Sequence, residues 1–244
     1  MKALEGIVEA TGDRSAPRPA AAGTVPEAIA VLLVWLGSAM LLGGLLGKAP
    51  ADISGPSLLL LALAPYLPAS AFLFALLARR HGAAGAIRAL GLGERPTLRP
   101  LREALGRYAL FAPFLFLAGI LWGLLLESLF GMEGSVVLDR ILEGSPGALP
   151  LVLAGAVLVG PFFEELLFRG YLQGSLSSRY GARAGLALAA GVWALGHEVV
   201  AWFPIFLFGV FLGSLFRRRG ALLVVFGVHA FHNALSMTLF ALVR

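Results

Sequence analysis

Residues 149–170 read LPLVLAGAVLVGPFFEELLFRG, an uncharged apolar run that ends on Glu164, Glu165 and Arg169. A helix needs roughly 20 apolar residues to cross a hydrocarbon core, so this run has the length of a membrane span. Each charged side chain near the centre of such a span costs about 2.5–3.5 kcal/mol on insertion scales. Glu165 and Arg169 stand one turn apart on a helix and share a face, so pairing them lowers that cost. By themselves these two read equally well as a structural pair near the membrane interface. Glu164 points about 100° away and has no partner within its own helix, which leaves it to face a polar cavity. Pro161 lacks an amide hydrogen, so it is expected to leave the carbonyl of Val157 exposed and to bend the helix.

Further apolar runs lie on both sides of this one. They predict spans at Ala28 to Gly47, Pro56 to Leu77, Tyr108 to Phe130, Leu149 to Phe168, Ala184 to Val200, Ala201 to Phe216 and Ala221 to Leu242. The fifth and sixth are short and almost contiguous, so they read as a tight hairpin or a broken segment. The expected architecture is all-α: a polytopic membrane protein of about seven transmembrane helices around a buried polar cavity. Composition agrees, because 59% of the residues are hydrophobic and 14% charged, whereas an ordinary soluble domain carries about 25% charge. The sequence contains no cysteine, which excludes disulfides, thiolate metal sites and a cysteine nucleophile.

The net charge of +5 does not point to nucleic acid, because the basic residues sit in short segments between apolar runs. They report topology instead. Arg79, Arg80, Arg88, Arg95, Arg99, Arg102 and Arg107 lie between the second and third runs, Arg179 and Arg183 between the fourth and fifth, and Arg217, Arg218 and Arg219 between the sixth and seventh. All three loops fall on one side, and positive charge collects on the cytoplasmic side. The opposite loops carry Lys48 with Asp52, and Glu133, Asp139, Arg140 and Glu143. The N-terminus is then cytoplasmic and the C-terminus external. Residues 1–26 form a polar, flexible cytoplasmic tail without a signal-peptide core, and residues 27–244 form the membrane domain. Leucines among the arginines of Ala89 to Arg107 suggest a segment lying in the membrane interface. Gly43 with Gly47, and Gly209 with Gly213, are pairs of small residues that let helices approach closely.

Two more runs carry polar groups. The fifth has Trp193 and His197 one turn apart, with Glu198 marking the external end of the helix. The seventh has His229 and Asn233 stacked on one face, two hydrogen-bond donors suited to stabilising an oxyanion. His232 lies about 60° from His229, so it either lines the same site or packs. Ser236, one turn after His232, is read as a packing residue.

Taken in order, Glu164-Glu165-x-x-x-Arg169, Trp193-x-x-x-His197 and His229-x-x-x-Asn233 resemble the motifs of the CAAX-protease and bacteriocin-processing family of intramembrane peptidases, also called the Abi family. The resemblance covers about residues 150–244, with an echo at Leu90-Gly91-Leu92. Trp193 stands where the family usually has Phe, a change expected to matter little for a packing role. The resemblance implies an endopeptidase in which Glu164 with His197 activates a water, His229 and Asn233 bind the carbonyl oxygen, and Glu165 and Arg169 hold the geometry. No cofactor is then required. Its substrate would be a peptide or a membrane-associated protein in the lipid bilayer, and its location a bacterial plasma membrane. The metal-dependent alternative uses Glu164, His197 and His229 as zinc ligands with an open position for water. A proton-coupled transporter and a non-catalytic membrane scaffold or immunity protein are the rival functions. The transporter lacks an inverted repeat and polar residues in the first three runs.

Overall fold

The computed structural model describes residues 23–46, 64–93, 98–132 and 149–243, and these residues form seven helices. The acidic and basic residues expected on the external loops, Lys48, Asp52, Glu133, Asp139, Arg140 and Glu143, lie outside the described residues, as do Arg95, Gly47 and most of the polar tail. Helix α1 is Val25–Leu46, α2 is Tyr66–Ala89 with a kink at Gly82 (φ +69), and α3 is Leu98–Phe130. Helix α4 runs through residues 149–180, α5 is Ala182–Leu195, α6 is Trp202–Arg219 and α7 is Leu222–Val243.

Among the described residues, three stretches are long and apolar enough to cross a membrane: Leu98–Phe130, Val199–Arg219 and Leu222–Leu242, with mean hydropathies of 2.3, 2.2 and 1.5. The outer faces of the bundle carry exposed leucines and phenylalanines such as Leu110, Leu117, Leu129 and Phe130. An apolar exterior of that extent requires an apolar solvent. The chain is an integral membrane protein.

Several expected boundaries move. Helix α1 begins three residues early because Thr24 and Glu27 form a capping pair, in which the Thr24 amide and hydroxyl both donate to the Glu27 carboxylate at 2.9 Å. Glu27 also pairs with Arg80 of α2, tying the first two helices together. Of residues 89–107, Leu98 to Arg107 form the first turns of α3, and Leu101 and Leu105 pack on the core. The break between the fifth and sixth runs is real, with α5 ending at Leu195 and a 3-10 turn, Val199–Ala201, leading into α6.

The turns at one end of the bundle meet. Gly91 adopts a left-handed backbone (φ +75), and an added Cβ would lie 2.6 Å from the carbonyl oxygen of Gly220. The Leu222 amide donates to the Gly91 carbonyl at 3.0 Å, while Leu90 is buried beside Gly170. Leu90-Gly91-Leu92 thus joins the α2–α3 turn to the start of α7. Gly209 and Gly213 do allow close approach: an added Cβ would stand 2.9 Å from Ala190 and 2.5 Å from Gln173, on α5 and α4.

Candidate active site

Helix α4 carries the charged residues and is not a regular helix. It widens into π-helical turns at Gly155–Val159 and Phe168–Leu172, before and after the segment Gly160–Leu167. Such turns insert a residue into the helical register and are common at functional sites. In the first, the Gly160 amide donates to the Gly155 carbonyl, and the next residue, Pro161, has no amide to offer. The carbonyl of Ala156 therefore accepts from outside the helix, from Asn233 Nδ2 of α7 at 2.9 Å. The acceptor that Pro161 helps to free is thus Ala156, where a regular helix would have given Val157, because the π-turn shifts the register by one residue.

The two glutamates occupy different surroundings. Glu165 is fully buried, and its Oε1 lies 3.1 Å from Arg169 Nη1 and 2.7 Å from His229 Nδ1. A carboxylate offers only acceptors here, so Nδ1 of His229 carries the proton, and Nε2 accepts in the neutral ring and donates in the protonated one. The Arg169 guanidinium also lies over the Trp193 ring, 4.1 Å from its centroid. Glu165 is thereby more than the partner of Arg169, since it also orients His229.

Glu164 keeps 14% of its side chain exposed against 0% for Glu165, so of the two it is the one that water reaches. Tyr66 of α2 donates its hydroxyl to Oε1 at 2.8 Å, and Trp193 of α5 donates its indole N–H to Oε2 at 3.0 Å. His229 Nε2 stands 3.9 Å from Oε2, beyond hydrogen-bond distance and near enough for a small shift or an intervening group to connect them. The sequence reading assigned Trp193 a packing role; its N–H is a polar contact that phenylalanine cannot make. Tyr66 was not anticipated at all.

His197 lies just past the end of α5, with Nδ1 2.9 Å from the Trp193 carbonyl and its ring edge-on to Trp193 at 5.3 Å. It bears electrostatically on Glu164, as His229 does. Among the described residues no hydrogen bond joins His197 to Glu164. The structure therefore gathers Glu164, Glu165, Arg169 and His229 around Trp193, with the His197 ring also 5.3 Å from Trp193 and Asn233 one turn from His229. Among the described residues no group of three or more His, Cys, Asp or Glu side chains has the arrangement to hold a metal ion, so Glu164, His197 and His229 are not placed as a zinc ligand set. His232 faces another way: its Nδ1 is 2.7 Å from the Tyr108 hydroxyl and its Nε2 is 3.5 Å from Ser236 Oγ. The Phe208 ring packs against both histidines, 4.1 Å from His232 and 5.5 Å from His229.

The polar cluster falls inside residues 146–235, which match the family described as Type II CAAX prenyl endopeptidase Rce1-like. This segment is an Rce1-like domain. The Rce1-like domain spans α4 to most of α7 and contains every charged member of the cluster, while Tyr66 reaches it from outside, on α2. The family is one of proteases, and the segment that matches it belongs to a membrane-embedded chain. No curated protein and no solved structure matches the chain.

Proposed function

We propose that the chain hydrolyses a peptide bond of a membrane-associated substrate with a water activated by Glu164. The observation that carries this reading is the contrast between the two adjacent carboxylates. Glu165 is consumed by Arg169 and His229, whereas Glu164 is partly accessible and held by two neutral donors. A carboxylate in a poorly solvated setting, fixed by hydrogen bonds, is suited to take a proton from water as it attacks a carbonyl. His229, oriented by Glu165 and donating from Nε2 when its ring is protonated, and Asn233, which keeps one Nδ2–H after donating to Ala156, supply donors for the developing oxyanion. His197 assists at the edge of the site. No protein nucleophile or metal is needed in this scheme.

The test is incubation of the purified protein in liposomes with a library of cleavable peptides, with and without a strong chelator. Cleavage that survives chelation and is lost in Asn233→Ala supports the scheme. Reversible loss on chelation moves the chemistry to metal, and no cleavage of any peptide favours the non-catalytic scaffold.

Tyr66 separates a positioning role from a packing role. Tyr66→Phe removes one hydroxyl and keeps the ring stacked on Phe163. Loss of a hydrogen bond to a charged group is worth about 1.5 kcal/mol or more, so kcat is expected to fall about tenfold. KM should stay near wild type, and the thermal midpoint should fall by no more than the few degrees that one lost hydrogen bond gives. An unchanged kcat would show that the phenol does not govern Glu164.

The proposed placement in the bilayer has seven spans, a cytoplasmic N-terminus and an external C-terminus, supported by the arginine-rich loops at one end. Reporter fusions at the C-terminus should be active only on the external side, and activity confined to the cytoplasm would overturn the topology.

A further inference from the structure

Helix α5 stops at Leu195 and α6 begins at Trp202, and the turn between them carries His197. Backbone carbonyls freed by such a break must find donors, because the edge of a membrane span offers little water to satisfy them. Two of the donors here are indoles from different helices. Trp202 of α6 donates its ring N–H to the His197 carbonyl at 2.8 Å, and Trp122 of α3 donates its own to the Val199 carbonyl at 3.0 Å. Trp193 meets the turn from the α5 side, since its carbonyl lies 2.9 Å from His197 Nδ1. Trp35 of α1 covers Gly196, where an added Cβ would stand 3.2 Å from the indole ring. The sequence holds four tryptophans, and all four therefore meet residues 196–199.

A tryptophan at a membrane edge ordinarily turns its N–H toward headgroups and water. Trp122 and Trp202 turn theirs onto protein backbone instead. Trp193 also donates its indole N–H to Glu164, so the residue that receives His197 Nδ1 is the one that helps to fix the carboxylate. Because a carbonyl only accepts, Nδ1 carries the proton and Nε2 is the ring nitrogen left for a reacting group. The ring is aimed from its own backbone, and that backbone is held by Trp202. We infer that Trp202 is a positioning residue whose indole N–H, by holding the His197 carbonyl, sets where the His197 imidazole stands relative to Glu164. Its effect on rate rests on the peptidase reading, whereas its hold on the turn does not. A displacement of about 1 Å in a positioned group costs up to about 100-fold in rate, so one bond to the backbone of His197 is enough to reach the chemistry.

Two measurements on the full chain in detergent test this, each made with Trp202→Phe and with Trp202→benzothienylalanine, which keeps the ring and replaces its N–H by sulfur. Hydrogen–deuterium exchange read by mass spectrometry needs no substrate. The amides of residues 197–201 should exchange about fivefold faster in both variants, the worth of one hydrogen bond, while those of α7 keep the wild-type rate. Peptide cleavage is then read in a double-mutant cycle with His197→Ala. Loss of the indole N–H should lower kcat about tenfold in the wild-type background with KM unchanged, and by less than about twofold in His197→Ala, where the side chain it positions is already gone. Unchanged exchange at residues 197–201 would overturn the hold on the turn. An equal fall in kcat in both backgrounds would make Trp202 a packing residue and overturn its positioning role. If wild type cleaves no peptide, the peptidase reading has failed, and the exchange measurement by itself decides whether Trp202 holds the turn.

Discussion

Glu164→Gln is expected to reduce peptide cleavage by about 10²- to 10⁴-fold, the contribution of a positioned general base, with the protein still folded and inserted. The amide keeps the shape of the side chain and can still accept from either Tyr66 or Trp193. It cannot take a proton from water. The Tyr66 hydroxyl can turn to accept from the amide NH₂ while the Trp193 N–H donates to the amide oxygen, so replacing two charge-assisted bonds by neutral ones leaves a small destabilisation of about 1 kcal/mol. Turnover of a peptide that wild type cleaves, read beside thermal unfolding of both proteins, checks this. Cleavage by Glu164→Gln at the wild-type rate would remove Glu164 from the reaction.

The second large effect is on stability. Glu165→Gln withdraws the charge that balances Arg169, a side chain only 2% exposed. Breaking a buried ion pair from one side costs about 3–5 kcal/mol, because the remaining charge stays buried without compensation. A lower thermal midpoint and poorer yield should therefore come with reduced activity, since His229 also loses its charged partner. Replacing both residues, in Glu165→Gln with Arg169→Met, should restore part of the stability and none of the activity. If the double variant is no more stable than Glu165→Gln alone, the ion pair is not what Glu165 contributes to folding.

Much of the fold was legible because the bilayer imposes length on each helix, and apolar runs show length directly. The pairing of Glu165 with Arg169 was legible for a related reason: four residues on one helix decide it locally. Tyr66 was not, because its partner lies 98 residues away and only the packing of α2 on α4 brings them together. The indole N–H of Trp193 was hidden by its residue type, which serves equally as core or as donor. The link from Glu165 to His229 also escaped, since the sequence shows that both are costly in a membrane but not that each offsets the other. Asn233 was found for its stacking on His229, and its partner was missed because a π-turn has no plain signature in sequence.

The bond from Asn233 to the Ala156 carbonyl has a wider consequence for how α4 and α7 fit together. Apolar helices in lipid slide past each other easily, because one leucine contact is much like the next and no hydrophobic force holds them in step. The acceptor at Ala156 exists at one height only, set by Pro161 and the widened turn before it. A slip of one helical turn, about 5.4 Å, would leave both that carbonyl and the asparagine amide without partners in a medium that supplies none. The bond thus acts as a depth gauge, fixing how far α7 is pushed in along α4 and with it the height at which His229 meets the two glutamates.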